Sequence, residues 1–249
     1  MSYTGKKGFR CALSFFTTIP CRCYEFNSSM IYYLGVVGLI TGVISGLVFF
    51  FTLPYLGHII AASIALSSIL IITGFNHMDG VLDTGDALMF RGSPERRLEI
   101  LKDHYLGAGG FGSAFVIYLL TFSSLTAYSQ IIGFSAILSA EILVKSSYPI
   151  LVRNAPGLFQ AGLFTKFKTM SADAGGIPYV INFGILILVS LFFNRMIIIT
   201  AFFSLIVLLI VKNRLIKIFG GLNGDILGFI GEFIRPVFLL ILLTLMLFV

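Results

Sequence analysis

Apolar positions run along this chain in long unbroken stretches, not in the alternation of a half-buried strand or the one-sided stripe of a soluble helix. Stretches at 30–53, 57–76, 110–128, 130–152, 177–193, 195–211 and 228–249 approach the length needed to cross about 30 Å of hydrocarbon at roughly 1.5 Å per residue. They predict an all-α polytopic membrane helix bundle of about seven spans, forming a single domain over 1–249. Only Asn194 and Arg195 separate the fifth and sixth stretches, which predicts a tight helical hairpin there. Gly38, Gly42 and Gly46 put a small residue at every fourth position of the first span, a pattern that lets another helix approach its backbone. Composition agrees: 57% of residues are hydrophobic, 11% are charged and mean hydropathy is +1.00, which excludes an ordinary soluble domain.

The polar positions between the stretches set an orientation. With the N-terminus inside, the inner segments hold Lys6, Lys7, Arg10, Arg22, Arg91, Arg96, Arg97, Lys102, Arg153, Lys166, Lys168, Lys212, Arg214 and Lys217, fourteen of the seventeen basic residues. This asymmetry predicts an N-in, C-out topology and accounts for the net charge of +6, so nucleic acid is not an expected partner. Long inner segments at 77–109, 153–176 and 212–227 place function on the cytoplasmic face of a cell membrane. The short apolar run "CALSFFTTIP" reads as a retained, partly interfacial segment, not a cleaved signal. Cys11, Cys21 and Cys23 are odd in number and lack zinc spacing, so reduced thiols are expected.

Six of the eleven acidic residues lie in "NHMDGVLDTGDALMFRGSPERRLEILKDHYLG", residues 76–107. If the second span continues into it as a helix, Asp79, Asp83 and Asp86 stand at i, i+4 and i+7 on one face. Crowded carboxylates call for a compensating cation, and hard oxygen donors favour Mg²⁺ shared with substrate phosphates. A solvated acidic loop is the alternative; the face-matched spacing and the flanking Gly80 and Gly85 favour the metal.

Ser93 and Pro94 start a helix expected to run from 94 to about 105 and to end at Gly107. Its polar face carries Arg96, Glu99, Lys102 and Asp103, suited to further metal ligands and phosphate contacts. An amphipathic helix with solvated charges fits the spacing nearly as well. His104 has no assigned role, and His58 reads as structural. Inside the spans, Glu141 with Lys145 and Glu232 with Arg235 read as intrahelical pairs, Glu232 lying near enough to the inner surface to serve the site equally well. Gly220, Gly221, Asn223, Gly224 and Asp225 form a turn opening the last helix, where backbone N–H groups can approach a phosphate.

The segments "LSFFTTIP" (13–20), "HMDGVLDTGDAL" (77–88), "ERRLEILKDHYLGAGG" (95–110) and "GGLNGDILG" (220–228) together resemble the cobalamin-5′-phosphate synthase family, also called adenosylcobinamide-GDP ribazoletransferases. The resemblance implies that a hydroxyl of α-ribazole 5′-phosphate, or of α-ribazole, attacks the cobinamide-linked phosphate of adenosylcobinamide-GDP and releases GMP, with Mg²⁺ as cofactor. His77, Asp79, Asp83, Asp86, Arg96, Glu99, Lys102, Asp103, Asn223 and Asp225 fall on the family pattern. Catalytic roles are expected for His77, Asp79, Asp83, Asp86, Lys102 and Asp103, with metal at the first three aspartates. Substrate-binding roles are expected for Arg96, Glu99, Gly220, Gly221, Asn223, Asp225 and Glu232. Partners implied are the corrinoid nucleotide, the ribazole and the lipid bilayer, with self-association or association with other cobalamin-assembly enzymes. Two departures bear on substrate details: His104 stands where many members have Ser, and Lys145-Ser146 where a span often carries Ser-Arg.

Rival readings fit less well. An intramembrane prenyltransferase needs a second Asp-rich motif, and only Asp225 and Glu232 are available. A CDP-alcohol phosphotransferase needs Ala-Arg where this chain has Asp83-Thr84. A transporter predicts ionisable residues at mid-membrane and related halves, whereas most carboxylates here lie in a loop.

Overall fold

The computed structural model describes residues 3–103 and 105–247, with the side chains of Tyr3 and Thr4 set aside; His104 lies outside the described residues. Among the described residues ten α-helices follow in order: α1 (Tyr3–Phe16), α2 (Leu34–Ile72), α3 (Asn76–Met89), α4 (Pro94–Ile100), α5 (Ala108–Thr126), α6 (Gln130–Val152), α7 (Leu163–Asp173), α8 (Ile177–Phe192), α9 (Met196–Phe219) and α10 (Gly224–Leu247). A 3₁₀ turn, Ser28–Tyr33, leads into α2, and the described residues contain no β-strand, only an isolated bridge between Gly157 and Leu222. By length and composition five helices can cross a membrane, or six if α7 and α8, bent by 91°, count as one broken span. The chain is a multi-pass membrane protein.

Continuous α2 would extend for about 58 Å at 1.5 Å per residue, nearly twice the hydrocarbon thickness. It folds back instead at Gly57, whose φ of 74° lies in the left-handed region that only glycine adopts without strain. The return is visible at its far end, where the Thr18 N–H donates to the Ile72 carbonyl at 2.7 Å beside α1. The two arms, 34–56 and 58–72, correspond to the first two expected spans, and α5, α6, α8, α9 and α10 to the rest.

The small residues of the first arm act as the sequence suggests. A Cβ on Gly38 would lie 2.6 Å from the Glu141 carbonyl oxygen, and one on Gly42 2.8 Å from the Leu138 Cα. These two helices therefore pack backbone to backbone. Polar bonds seal the same region: Asn182 of α8 donates to the Ile31 carbonyl at 2.8 Å and accepts from the Gly35 N–H at 2.9 Å.

Four expectations change. Cys11 and Cys23 form a disulfide, leaving Cys21 as the free thiol, because the turn after α1 doubles back and brings their Cα atoms to 4.7 Å. Segment 212–227 is mostly helix: α9 runs to Phe219 with Lys217 in its last turn, and Gly220 at φ 83° caps it. The span before α3 does not continue into it, since Gly74 and Phe75 both take positive φ and break the helix. Helix α4 ends at Ile100, so Lys102 and Asp103 lie in the turn that follows it.

Candidate active site on the loop-rich side

Two glycines set the geometry of the site. A Cβ on Gly80 of α3 would lie 2.9 Å from the Asp225 Cα, and one on Gly228 of α10 would lie 3.3 Å from the His77 Cα. Their absence of side chains lets the start of α10 lie against the first turns of α3. Asn223 fixes where α10 begins by accepting the Ile226 N–H at 2.9 Å, while its amide donates to Asp225 Oδ2 at 2.7 Å. The result brings "HMDG" and "NGD", some 145 residues apart in sequence, to one place.

A cavity of about 230 Å³ opens at this junction. Phe15 and Phe16 of α1, His77, Tyr148 of α6, Phe164 and Phe167 of α7, and Gly224, Asp225 and Gly228 line it. The His77 ring stacks on Tyr148 at 5.5 Å, and Tyr148 on Phe16 at 5.3 Å. His77 Nδ1 faces Glu232 Oε1 at 3.8 Å, beyond hydrogen-bond reach, and is buried with no partner. Burial pushes the imidazole pKa down to about 4; Glu232 opposes that shift while Lys145 and Arg235 add to it. Above that value the ring is neutral, with one nitrogen able to donate a hydrogen bond and the other to accept a proton.

Asp225 lines the cavity; Asp79 does not, but it is exposed and its carboxylate acts electrostatically on that of Asp225. Neither forms an ion pair with a described cation. Asp83 follows one helical turn after Asp79. Asp86, though on the same face, is engaged elsewhere: its two oxygens accept the Gly107 and Gly110 N–H groups at 2.7 and 2.8 Å and tie α3 to the start of α5. The described residues hold no preformed cluster of three or more metal-binding side chains. The carboxylates at the rim fit a Mg²⁺ that takes one or two protein ligands and completes its sphere with phosphate and water.

The second acidic group lies apart from the cavity. Arg96 pairs with Glu99 at 2.5 Å, both more than 60% exposed. Lys102 sits over the Phe159 ring at 4.4 Å, and Asp103 accepts the Tyr105 N–H at 3.3 Å. Gly220 and Gly221 do not line the cavity either: Gly220 caps α9, and Gly221 lies against the backbone of 156–158, where the Leu158 N–H donates to the Leu222 carbonyl and the Leu222 N–H to the Pro156 carbonyl.

Beneath the cavity lies a charged cluster that two intrahelical pairs did not anticipate. Arg235 donates to Glu232 on its own helix and to Glu141 of α6 at 2.8 Å, while Lys145 and the Thr41 hydroxyl also donate to Glu141. All four charged side chains are at most 1% exposed. One arginine thus joins two helices and answers both carboxylates.

Sequence reasoning missed Tyr148, Phe164 and Phe167, which lie in apolar segments that carry no local signal of a site. Phe15 and Phe16 stand in the "LSFFTTIP" segment, which carries part of the family resemblance and reads as interfacial, without a site role for either ring.

The cobalamin-5-phosphate synthase family model matches residues 8–243. The chain is similar to the adenosylcobinamide-GDP ribazoletransferase of Thermoplasma acidophilum, 35% identical over 94% of this chain and 91% of the relative. It is similarly related to those of Thermoplasma volcanium, 34% identical over 95% and 90%, and Picrophilus torridus, 34% identical over 95% and 97%. No solved structure matches the chain. With a match of that extent through every element that builds the cavity, the chain belongs to the cobalamin-5-phosphate synthase family.

Proposed function

We propose that this protein transfers ribazole to adenosylcobinamide-GDP, joining α-ribazole 5′-phosphate or α-ribazole to the cobinamide-linked phosphate with release of GMP. The observation that carries the reading is one cavity built from both the His-Met-Asp-Gly start of α3 and the Asn-Gly-Asp start of α10, lined by Asp225, on whose carboxylate Asp79 acts electrostatically. At about 230 Å³ the cavity falls below the roughly 300 Å³ of an ordinary small-molecule pocket, so it suits the reacting phosphates and not the corrin ring.

Asp79 and Asp225 would hold Mg²⁺, which when bound would neutralise charge on the diphosphate oxygens. The open N-terminus of α10 at Gly224 presents backbone N–H groups toward the same oxygens. His77, kept neutral by burial, takes the proton of the attacking hydroxyl; with Nδ1 turned to Glu232, Nε2 is the nitrogen that receives it. Tyr148 and Phe16 hold the imidazole plane and exclude water. Arg96 and Lys102 on the exposed surface supply positive charge for the incoming nucleotide.

The basic residues support an N-terminus and an active site on the cytoplasmic face. The disulfide pulls the other way, since such bonds are rare in the cytosol outside hyperthermophiles. Labelling of Cys21 by a membrane-impermeant maleimide in oriented vesicles decides the side.

Purified protein in detergent or liposomes, given both substrates and Mg²⁺, is expected to release GMP and form the joined corrinoid. Intact protein that forms neither sinks the reading. Radiolabelled substrate accumulating in liposomes without GMP would favour a transporter.

A further inference from the structure

A second cavity, of about 350 Å³, lies on the same loop-rich side between the end of α6, α7 and the start of α8. Helix α7 is the wall between the two: Phe164 and Phe167 face the first cavity, whereas Lys168 and Ser171 line the second. Their chemistry differs. The first has a carboxylate at its mouth; the second has Arg153 and Lys168 and no acidic lining residue.

Three features mark the second cavity as a site for a dianion. Neither Arg153 nor Lys168 forms an ion pair with a described carboxylate; Lys168 donates only to the Ala155 carbonyl at 2.7 Å, and Arg153 lies 6.0 Å over the Tyr179 ring. Ser171 is 5% exposed, yet its hydroxyl has no hydrogen-bond partner, an unusual state for a buried donor in a lining residue. Gly176 is the N-cap of α8, a 16-residue helix whose positive dipole end therefore opens at the cavity. Guanidinium, ammonium, hydroxyl and helix terminus together form a donor set for a phosphate monoester, with no acceptor group required of a metal.

We propose that this cavity binds the 5′-phosphate of the ribazole substrate, which rests on the ribazole-transfer reading of the first cavity. The reaction needs that phosphate nowhere in its bond changes, so a separate basic pocket beside the reacting centre can hold the acceptor by its inert end. The acidic cavity is the wrong place for a metal-free dianion, because Asp225 would repel it.

The test compares two acceptors, α-ribazole 5′-phosphate and α-ribazole, in wild type, Arg153→Gln, Lys168→Met and Ser171→Ala. Arg153 is exposed, so its variant is expected to fold. The ratio of kcat/KM for the phosphorylated acceptor to that for the plain one is expected to fall at least about tenfold in Arg153→Gln and Lys168→Met, about 1.4 kcal/mol of differential binding. The loss should appear chiefly in KM for the phosphorylated acceptor. An unchanged ratio in both variants overturns the proposal. A fall that occurs in vesicles containing phosphatidic acid but vanishes in neutral detergent assigns the pocket to a lipid headgroup and also overturns it. Absence of GMP from either acceptor in wild type would instead refute the ribazole-transfer reading.

Discussion

The carboxylates of this protein fall into two regions that use the same group for opposite ends. In the buried cluster, Glu141 and Glu232 are met by Lys145 and Arg235 with no solvent to share the charge. At the cavity, Asp225 feels the carboxylate of Asp79, and neither forms an ion pair with a described cation. Buried ionic groups must be neutralised within the protein, because desolvating an unanswered charge costs several kcal/mol. Near water the same imbalance is tolerable, and it leaves room for a cation that arrives with substrate. Balance identifies the structural region, and imbalance identifies the reactive one.

Breaking the balanced region should have the largest effect. Arg235→Met strands both glutamates in the interior and is expected to cost about 3–5 kcal/mol, read as a fall in the thermal midpoint of the detergent-solubilised protein. An unchanged midpoint would show that the cluster does not hold α6 to α10.

At the rim the expected signature is reversed, with chemistry lost and stability kept. Asp79→Asn or Asp225→Asn should lower GMP release at least about a hundredfold, roughly 2.7 kcal/mol of transition-state stabilisation, without lowering the thermal midpoint. Near-normal turnover in both removes the metal from this place.

Asp86 sharpens the boundary between the two regions, because by spacing alone it belongs with Asp79 and Asp83. Its oxygens hold the start of α5, so Asp86→Ala should cost about 1 kcal/mol of stability. Turnover should fall by less than in Asp79→Asn. A loss equal to that of Asp79→Asn, at unchanged stability, would return Asp86 to the metal face.

Much of the fold was legible because a bilayer imposes a length on every spanning segment, and the seven apolar stretches each find a helical arm. The glycines facing α6 were readable from their four-residue spacing, whereas Gly57, the first residue of an expected stretch, was identified as the turn only by its backbone conformation. Helix ends within the polar segments were less so. The reach of α9 to Phe219 and the early end of α4 depend on what surrounds them, and neither leaves an apolar period to follow. Of the site, His77, Asp79 and Asp225 stood out as polar residues in an apolar chain, whereas Tyr148, Phe164 and Phe167 look like any other membrane aromatic.

The sequence by itself determined that the chain is a membrane bundle, where its helical arms begin, and which motifs hold its unusual carboxylates. Those properties follow from hydrophobic length and residue type, which are local. Only the tertiary structure decided that Arg235 bridges Glu141 and Glu232, that Asp86 holds a helix end, that Cys11 meets Cys23, and that α7 divides an acidic cavity from a basic one. Each of these is a contact between residues on different elements. Their partners are chosen by helix packing in three dimensions, where glycines such as Gly80 and Gly228 permit an approach that spacing along the chain does not encode.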